Sequence, residues 1–266
     1  MTATTEPALQ LRGVDMHYGY VRALDGIDIE VRQGEVLGLL GDNGAGKSTL
    51  LKVMSGAHQP TNGEIRVHGA EQTFGSPADA THAGIQMVYQ DLALVDAQDI
   101  ATNLSLGREI LRKGLLGWLG FIDHKAQRRR STEEMDKLGV RTASMTRPVE
   151  MLSGGQRQVV ALARGATRVF DEERNGILLL DEPTAALGYE QTQQVQALIR
   201  RLADQGVACV LVTHNLPLAM DVCDRITVLN RGRKVADIPA AETENDHLVG
   251  WITGARPSMF ATEGAS

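Results

Sequence analysis

The sequence predicts an α/β domain built on a mostly parallel sheet, with a helical subdomain inserted into it. Short apolar runs that suit buried strands occur at Val36–Leu40, Ile177–Leu180 and Val207–Thr213, and Glu190–Asp204 has helical periodicity. Strands that alternate with helices are typical of a parallel sheet covered by helices. The signals are helical from about Asp99 to Ala166, and the helical stretch between Gln90 and Ser153 interrupts this alternation. We therefore expect it to form the inserted subdomain.

The remaining strands are predicted from shorter patterns toward the two ends of the chain. They are expected at Leu9–Asp15, Ile27–Val31, Gly63–His68 and Ile85–Tyr89, and as a final hairpin of Ile226–Leu229 and Lys234–Asp237 around Arg231-Gly232. Apolar and acidic residues alternate strictly in Ile27–Val31, as they do in a strand with one buried face. A helix is predicted from about Lys47 to Ser55.

Composition places the chain among soluble globular proteins of one or two domains. Of its 266 residues, 42% are hydrophobic and 23% are charged, and the net charge is −6. The acidic balance argues against a nucleic-acid partner, which demands a basic field. The only two cysteines, Cys209 and Cys223, lie in apolar surroundings and are expected to be reduced, buried thiols. Met1–Pro7 lacks the pattern of a secretory signal.

One apolar segment, Ile110–Ile122, has two interpretations. It is too short to cross a bilayer, which takes about 20 apolar residues, and Arg112, Lys113 and three glycines interrupt it. It can form a helix and turn on the surface, or a docking surface for a membrane partner. The basic run that follows, Lys125 and residues 128–130, is expected to be a solvated face, with a coupling surface as the alternative.

The segment Gly41–Ser48 matches the phosphate-binding pattern G-x-x-x-x-G-K-[ST], and it lies between a predicted strand and a predicted helix. Its glycines let backbone amides wrap a phosphate, and the following helix adds its positive N-terminus. Lys47 is expected to reach the β- and γ-phosphates, and the Ser48 hydroxyl to bind Mg²⁺. The nucleotide-binding residues predicted here are Gly41, Asp42, Asn43, Gly44, Ala45, Gly46, Lys47, Ser48 and Thr49.

Polar side chains also follow three other predicted strands. Asp181 and Glu182 end one apolar strand, and Gln90 and His214 each come just after another. Ligands of open α/β sheets bind at the carboxyl ends of the strands, so these groups are expected at one edge. There Asp181 would help to hold Mg²⁺, and Glu182 would polarise a water for attack on the γ-phosphate.

A second candidate anion-binding helix start is found at Leu152-Ser153-Gly154-Gly155-Gln156. Ser153 with Gln156 three residues later is a capping-box pattern, and the two glycines allow a ligand to approach the backbone closely. Together with Tyr18, Gly41–Ser48, Gln90, Asp181–Glu182 and His214, in this order, the pentapeptide makes nearly the whole chain resemble the nucleotide-binding subunit of an ATP-binding-cassette (ABC) transporter.

The resemblance implies a fold and a division of the chain. The fold is a P-loop NTPase (RecA-like) core with an antiparallel β subdomain and an inserted helical subdomain. The whole chain, 1–266, would be one nucleotide-binding domain. Residues 8–90 and 167–240 would form the core with the β subdomain, 91–166 the helical subdomain, and 241–266 a C-terminal helix and tail.

The resemblance also implies roles for the motif residues. Tyr18 would stack on adenine, Glu182 would be the general base, and His214 would contact the γ-phosphate. Gln90 would touch Mg²⁺ and the attacking water, so that the metal ligands would be Ser48, Gln90 and Asp181. Two subunits would pair head to tail, with the ATP of one also held by the partner copy's helix start, which is Ser153, Gly154, Gly155 and Gln156.

Three segments are similar to bacterial importers of monosaccharides such as ribose, xylose or fructose: Val88–Asp91, Asn103–Glu109 and Glu182–Leu187. Many such subunits carry two fused cassettes, whereas this chain carries one and resembles the shorter, fructose-type form. The resemblance implies an ATPase, converting ATP and water to ADP and phosphate, that lies peripherally on the cytoplasmic face of the bacterial membrane. Its partners would be permease subunits and, indirectly, an extracytoplasmic sugar-binding protein.

The sequence departs from the family pattern in two places. Glu182-Pro183-Thr184 is usually followed by Ser-Ala-Leu-Asp, whereas here Gly188 replaces the aspartate, which puts one cross-dimer contact in doubt. The loop at 171–176 is longer than usual and receives no role.

The sequence leaves three alternatives to a sugar importer. They are an ABC ATPase for another solute, a soluble ABC ATPase of DNA repair or translation, and a P-loop kinase, against which Ser153–Gln156 argues.

Overall fold

Strands and helices alternate along the chain in the order that the sequence pattern predicts. The structure, a computed structural model, describes residues 6–140, 144–170, 176–185 and 187–260. The strands in these ranges are β1 Leu9–Tyr18, β2 Val21–Val31, β3 Val36–Gly41, β4 Asn62–Val67, β5 Ala70–Gln72, β6 Ile85–Val88, β7 Ile177–Asp181, β8 Ala208–Val212, β9 Arg225–Asn230 and β10 Arg233–Pro239. The helices there are α1 Lys47–Met54, α2 Pro77–His82, α3 Ile100–Ser105, α4 Leu115–Trp118, α5 His124–Lys137, α6 Gly154–Phe170, α7 Tyr189–Asp204, α8 Leu216–Val222 and α9 Asn245–Thr253.

The main sheet has six strands in the order β10-β9-β3-β8-β7-β6. All neighbours in it are parallel except β9 and β10, which form the predicted hairpin. Arg231 and Gly232 form the turn of this hairpin with φ of 47° and 78°, and two consecutive left-handed residues match the right-handed twist of the flanking strands. The prediction of a mostly parallel sheet is confirmed.

Both faces of the main sheet are buried, which explains the continuous apolar runs in its central strands. On one face Leu178 and Leu180 of β7 belong to an apolar cluster with α6 and α7. On the other face Ile177 and Leu179 of the same strand join a cluster with α1 and the second sheet. A strand that is buried on both sides shows no polar alternation, so its sequence is an unbroken apolar run.

The second sheet is antiparallel, with strand order β2-β1-β4-β5. Its β2 contains the alternating segment Ile27–Val31, in which the three apolar residues are buried and the two acids are exposed. The buried face of this sheet packs on α1 and the main sheet. This is the antiparallel β subdomain expected from the resemblance.

The insertion between β6 and β7 is helical, as predicted, but the helices are not continuous. Asp99 begins α3 by accepting a hydrogen bond from the amide of Thr102, and Asp123 begins α5 in the same way with Ala126. Between these helices, residues 106–122 contain only the short α4 and a bridge between Leu111 and Ile122. The helix α6 is the long, amphipathic element that packs this insertion onto β6 and β7.

Three short elements in the described part of the chain were not predicted, namely β5, α2 and α8. Each has seven residues or fewer, which is too short to establish a periodicity. The cap of α8 does carry a local signal, because Asn215 accepts a hydrogen bond from the amide of Leu218. Both departures from the family pattern include residues outside the described part of the chain. These are residues 171–175 of the predicted long loop and residue 186, which lies two positions before Gly188.

Candidate functional site

Four neighbouring parallel strands of the main sheet, β6, β7, β8 and β3, end at the same edge. Gln90 follows β6, Asp181 ends β7, His214 follows β8 and the loop Gly41–Ser48 follows β3. Strand order therefore brings four of the predicted groups to one edge, as expected for a ligand site in an open α/β sheet. Gln90 and Ser48 are exposed there, and Asp181 is partly buried.

The loop Gly41–Ser48 is held in a conformation that requires glycine. Gly44 and Gly46 have φ of 78° and 106°, and a Cβ on Gly46 would lie 2.9 Å from the carbonyl oxygen of Ala23. Helix α1 begins directly after Gly46 with no side-chain cap, so its first amides remain available to a ligand. A curled loop with uncapped helix amides has the geometry that suits a bound phosphate.

Lys47 lies over this loop and is partly buried. Its Nζ donates hydrogen bonds to the carbonyl oxygens of Gly41 at 2.8 Å and Asp42 at 2.9 Å. Burial lowers its pKa, although the nearby carboxylates of Glu182, Asp42 and Asp181 act in the opposite direction. The ammonium group is thus placed at the mouth of the loop, where an anion would replace backbone carbonyls as its partner.

The pKa of the Asp181 carboxyl group is shifted by the same surroundings. Burial and the adjacent Glu182 raise the pKa of its carboxyl group, whereas Lys47 acts to lower it. Two carboxylates at the end of one strand therefore repel each other, and a cation between them and a phosphate would relieve that repulsion.

Glu182 and His214 are in direct contact. The Nδ1 atom of His214 lies 2.9 Å from Oε1 of Glu182, and the Glu182 side chain is mostly buried while the His214 side chain is largely exposed. Glu182 has a left-handed backbone with φ of 49°, and its amide donates to the carbonyl oxygen of Val212. A non-glycine residue in this region is strained, and such strain is concentrated at functional sites. The sheet thus fixes the backbone of Glu182, and His214 contacts its carboxylate.

The oxygen donors at this edge fit a magnesium ion. Ser48, Gln90 and Asp181 offer a hydroxyl, an amide and a carboxylate oxygen, which are hard ligands of the kind that Mg²⁺ prefers. The described residues contain no cluster of three or more His, Cys, Asp or Glu side chains that could enclose a metal. A site with few carboxylates suits an ion whose shell is completed by water and phosphate oxygens.

The predicted capping box at the start of α6 is present. The amide of Gln156 donates to Ser153 Oγ at 3.3 Å, and the amide of Ser153 donates to Gln156 Oε1 at 3.1 Å. A Cβ on Gly154 would meet no atom within 4 Å, so the backbone there is open to a ligand. None of the hydrogen bonds of Ser153 or Gln156 in the described structure reaches the Gly41–Ser48 loop.

Two residues beside these motifs were missed by sequence reasoning. The ring of His58 meets Tyr18 edge to face, with centroids 5.8 Å apart, while the Tyr18 ring remains partly exposed for stacking. The side chain of Gln191 fills the space beside Gly155, where a Cβ would lie 2.6 Å from the Gln191 Cβ and still closer to its Cγ. Both contacts join distant segments, so no local pattern in the sequence marks them.

The fold matches solved ATP-binding cassettes. A cassette of an ABC transporter aligns with a TM-score of 0.78 at 22% identity, covering 93% of this chain and 98% of that one. CbiO1 from Clostridium perfringens, part of an ABC transporter complex, aligns with a TM-score of 0.73 at 25% identity over 94% of this chain and 96% of its own. A dimeric post-hydrolysis cassette bound to ADP and Pi is also similar, with a TM-score of 0.70 at 24% identity over 87% of this chain and 98% of its own.

Three curated import proteins are more similar to this chain in sequence than the solved structures above. The fructose import ATP-binding protein FrcA of Rhizobium meliloti is 42% identical over 94% of this chain and 95% of its own length. The xylose/arabinose import ATP-binding protein XylG of Sulfolobus acidocaldarius is 40% identical over 92% and 93%. The arabinose import ATP-binding protein AraG 2 of Burkholderia thailandensis is also 40% identical, but this chain covers only 45% of it. The profile of the ABC transporter family matches residues 24–185, which is more than half of the sequence. With these relatives and this match, the chain belongs to the ABC transporter family.

Proposed function

We propose that this chain is the ATP-hydrolysing subunit of an importer for a monosaccharide such as fructose, ribose or xylose. The observation that carries the proposal is the meeting of the phosphate-binding loop, Asp181, the Glu182–His214 pair and Gln90 at one sheet edge. The names of the most similar relatives, a fructose and a xylose/arabinose import protein, supply the class of solute.

The phosphate-binding loop would hold the nucleotide. Amides of the loop and of the first turn of α1 would surround the β-phosphate, while Lys47 would exchange the carbonyl oxygens of Gly41 and Asp42 for phosphate oxygens. Tyr18 would stack on the adenine ring. Ser48, Gln90 and Asp181 would hold Mg²⁺, which supplies neutralisation of phosphate charge when bound.

Glu182 is proposed to act as the general base. One of its carboxylate oxygens faces Nδ1 of His214 at 2.9 Å, which leaves the other oxygen to accept a proton from the attacking water. His214, with most of its ring exposed, would extend from Glu182 toward the γ-phosphate. Gln90, at the end of the adjacent parallel strand, would orient the same water.

The start of α6 is proposed to serve a second nucleotide. Its capping box and the open backbone at Gly154 form an anion-binding helix start that makes no hydrogen bond to the chain's own phosphate loop among the described residues. We infer that it closes on the ATP of a second copy, in a head-to-tail homodimer. Sizing the Glu182→Gln variant with and without Mg-ATP tests this, and an unchanged size would contradict it.

The phosphate-loop assignment has a matched pair of variants. Lys47→Ala should abolish nucleotide binding, because it removes the ammonium group over the loop. Lys52→Ala is the control, because Lys52 is an exposed lysine of the same helix. Equilibrium binding of a fluorescent ATP analogue measures both, and retained affinity in Lys47→Ala would contradict the assignment.

The transport role requires partners at the membrane. No helix in the described ranges is long and apolar enough to span a bilayer. We propose that the chain lies on the cytoplasmic face of the membrane against permease subunits that receive sugar from an extracytoplasmic binding protein. The predicted division into a core at 8–90 and 167–240, a helical subdomain at 91–166 and a C-terminal part at 241–266 belongs to the same proposal.

A pull-down of the tagged chain from detergent-solubilised native membranes tests this role, with the untagged chain as its control. A multi-spanning permease and a sugar-binding protein among the captured proteins would support sugar import, and the binding protein could then be screened for its sugar. Capture of soluble proteins alone would leave the ATPase assignment standing but would refute transport.

A further inference from the structure

A group of exposed apolar residues lies in a hairpin-like segment between α3 and α5, which we call the apolar tip (residues 111–121). Leu111 and Ile122 bridge its base, where the amide of Arg112 donates to the carbonyl oxygen of Phe121 at 2.8 Å. The four-residue helix α4 lies at its end. The nucleotide chemistry proposed above uses none of these residues.

The side chains of the apolar tip are unusually exposed for their type. The large hydrophobic residues exposed within it are Leu111, Leu115, Leu116, Trp118, Leu119 and Phe121. Trp118 is 82% exposed, whereas the only other tryptophan of the chain, Trp251, is 3% exposed. Single exposed hydrophobic residues are common, but a contiguous group of this size marks a contact surface.

The backbone of the apolar tip already satisfies many of its own hydrogen bonds. The amides of Trp118, Leu119 and Phe121 donate to carbonyl oxygens within the tip, at distances from 3.0 to 3.2 Å. Unpaired backbone groups are costly in an apolar medium. A segment whose amides are paired internally can therefore leave water at low cost, and it needs no partner strand.

Charge around the apolar tip has the opposite sign to the chain as a whole. Between residues 111 and 130 there are six basic residues and one acid, Asp123, although the net charge of the chain is −6. Arg112 and Lys113 lie in the tip itself, and Lys125 and Arg128 are exposed on the first turns of α5. Asp123 is engaged in capping α5. This local excess of positive charge fits an anionic surface.

We propose that the apolar tip inserts into the headgroup region of an anionic lipid bilayer, with the flanking basic residues on lipid phosphates. Exposed Trp, Phe and Leu beside Lys and Arg are the composition of segments that lie in a membrane interface, where apolar side chains penetrate about 5–10 Å. The inference rests on the proposed location at the membrane, but not on the solute or on contact with a permease.

Trp118 provides a direct reporter, because Trp251 is buried in the same chain. Vesicles of phosphatidylcholine, alone or with phosphatidylglycerol, are added to the purified full chain and to the Trp118→Phe variant. Trp118 emission should shift to the blue with the phosphatidylglycerol vesicles and be quenched by brominated lipid. Trp118→Phe should lose this shift but still sediment with the vesicles, since phenylalanine keeps the apolar ring.

Two further variants separate the apolar and the charged contributions. Leu116→Ser with Phe121→Ser should abolish sedimentation, while Val249→Ser, an exposed apolar residue of α9, is the matched control and should bind like the wild type. Arg112→Gln with Lys113→Gln should weaken binding about thirtyfold, from two basic residues near the surface. All changed side chains are exposed, and circular dichroism checks that the variants fold.

Several outcomes would overturn the proposal. Absence of any blue shift with anionic vesicles would refute insertion, and capture of a permease in the pull-down would then leave the importer assignment intact. Equal binding to phosphatidylcholine alone would refute the role of the basic residues. A Trp118 shift that depends on protein concentration without vesicles would assign the tip to contact with a second copy instead.

Discussion

The two glycines at the start of α6 should differ sharply when each is replaced by alanine. In Gly155→Ala the new Cβ would lie 2.6 Å from the Cβ of Gln191 and closer to its Cγ. Rotation about χ1 moves the Cγ of Gln191 but not its Cβ, so the backbone of α6 or α7 has to shift to make room. In Gly154→Ala the new Cβ meets nothing within 4 Å.

The size of the difference follows from two opposing effects. Overpacking in a filled site costs about 1–3 kcal/mol. Replacement of glycine by alanine in a helix contributes up to about 1 kcal/mol of stability, and both variants receive it. The two variants should therefore differ by about 1–3 kcal/mol in the free energy of unfolding, with Gly155→Ala the less stable. At about 2–4 °C per kcal/mol, this is a difference of roughly 2–12 °C in Tm.

Thermal unfolding in the absence of nucleotide measures this difference. Adding Gln191→Gly removes both obstructing atoms, so the double variant Gly155→Ala/Gln191→Gly should recover most of the loss relative to Gln191→Gly alone. Contacting residues show such coupling, whereas independent sites add. Equal Tm values for the two glycine variants, or additive behaviour in the double variant, would refute the assigned packing.

Three other predictions concern Glu182, the contact between Tyr18 and His58, and the two buried thiols. Glu182→Gln should keep ATP binding and reduce steady-state hydrolysis by roughly 10²–10⁴-fold, as for loss of a general base, and near-normal turnover would refute that role. His58→Ala should raise the Kd for ATP about two- to tenfold with kcat unchanged, because the edge contact that orients Tyr18 is lost, and His58→Phe should restore it; a fall in kcat alone would contradict this. Burial raises the pKa of Cys209 to about 12 and raises that of Cys223 further, so neither should react with a thiol reagent at pH 8 until the chain unfolds, and reaction of the folded chain would exclude the assigned burial. Thiols of the unfolded chain lose their protons near pH 8.5, whereas these two buried thiols keep theirs in the folded chain. The free energy of unfolding should therefore fall by about 1.4 kcal/mol per pH unit for each thiol above about pH 9. Urea unfolding at several pH values measures this fall.

The candidate site could be predicted from sequence because its information is local. Buried strands end at or just before the Gly41–Ser48 loop, Gln90, Asp181–Glu182 and His214, and the apolar runs of β3, β7 and β8 predict three of these strands without long-range knowledge. One topological rule, that parallel strands present their carboxyl ends at one edge, then brings the groups together. The roles of these residues in hydrolysis remain predictions that the variants above test.

Contacts between distant segments could not be predicted in this way. Tyr18 ends β1 and His58 follows α1, and neither position carries a pattern that pairs it with the other. A helix and turn were predicted for Ile110–Ile122, but the exposure of the Leu, Trp and Phe side chains in 111–121 could not be predicted, because their composition is that of a packed helix. Periodicity reports which residues are apolar, but not whether anything covers them.

The position of Gly188, where the family pattern has aspartate, is in contact with Gln191, the same side chain that packs against Gly155. A Cβ on Gly188 would lie 2.6 Å from Oε1 of Gln191, so the space that an aspartate would need at this position is occupied. Gln191 thus lies against both Gly188, at the start of α7, and Gly155, in the first turn of α6. An aspartate at 188 would move only the amide end of Gln191, by rotation about its outer bonds, whereas the Cβ and Cγ of Gln191 would stay beside Gly155. Gln191 therefore links the start of α6 to the segment following Glu182 through two ends of one side chain: its Cβ and Cγ pack beside Gly155, and its amide oxygen occupies the space beside Gly188.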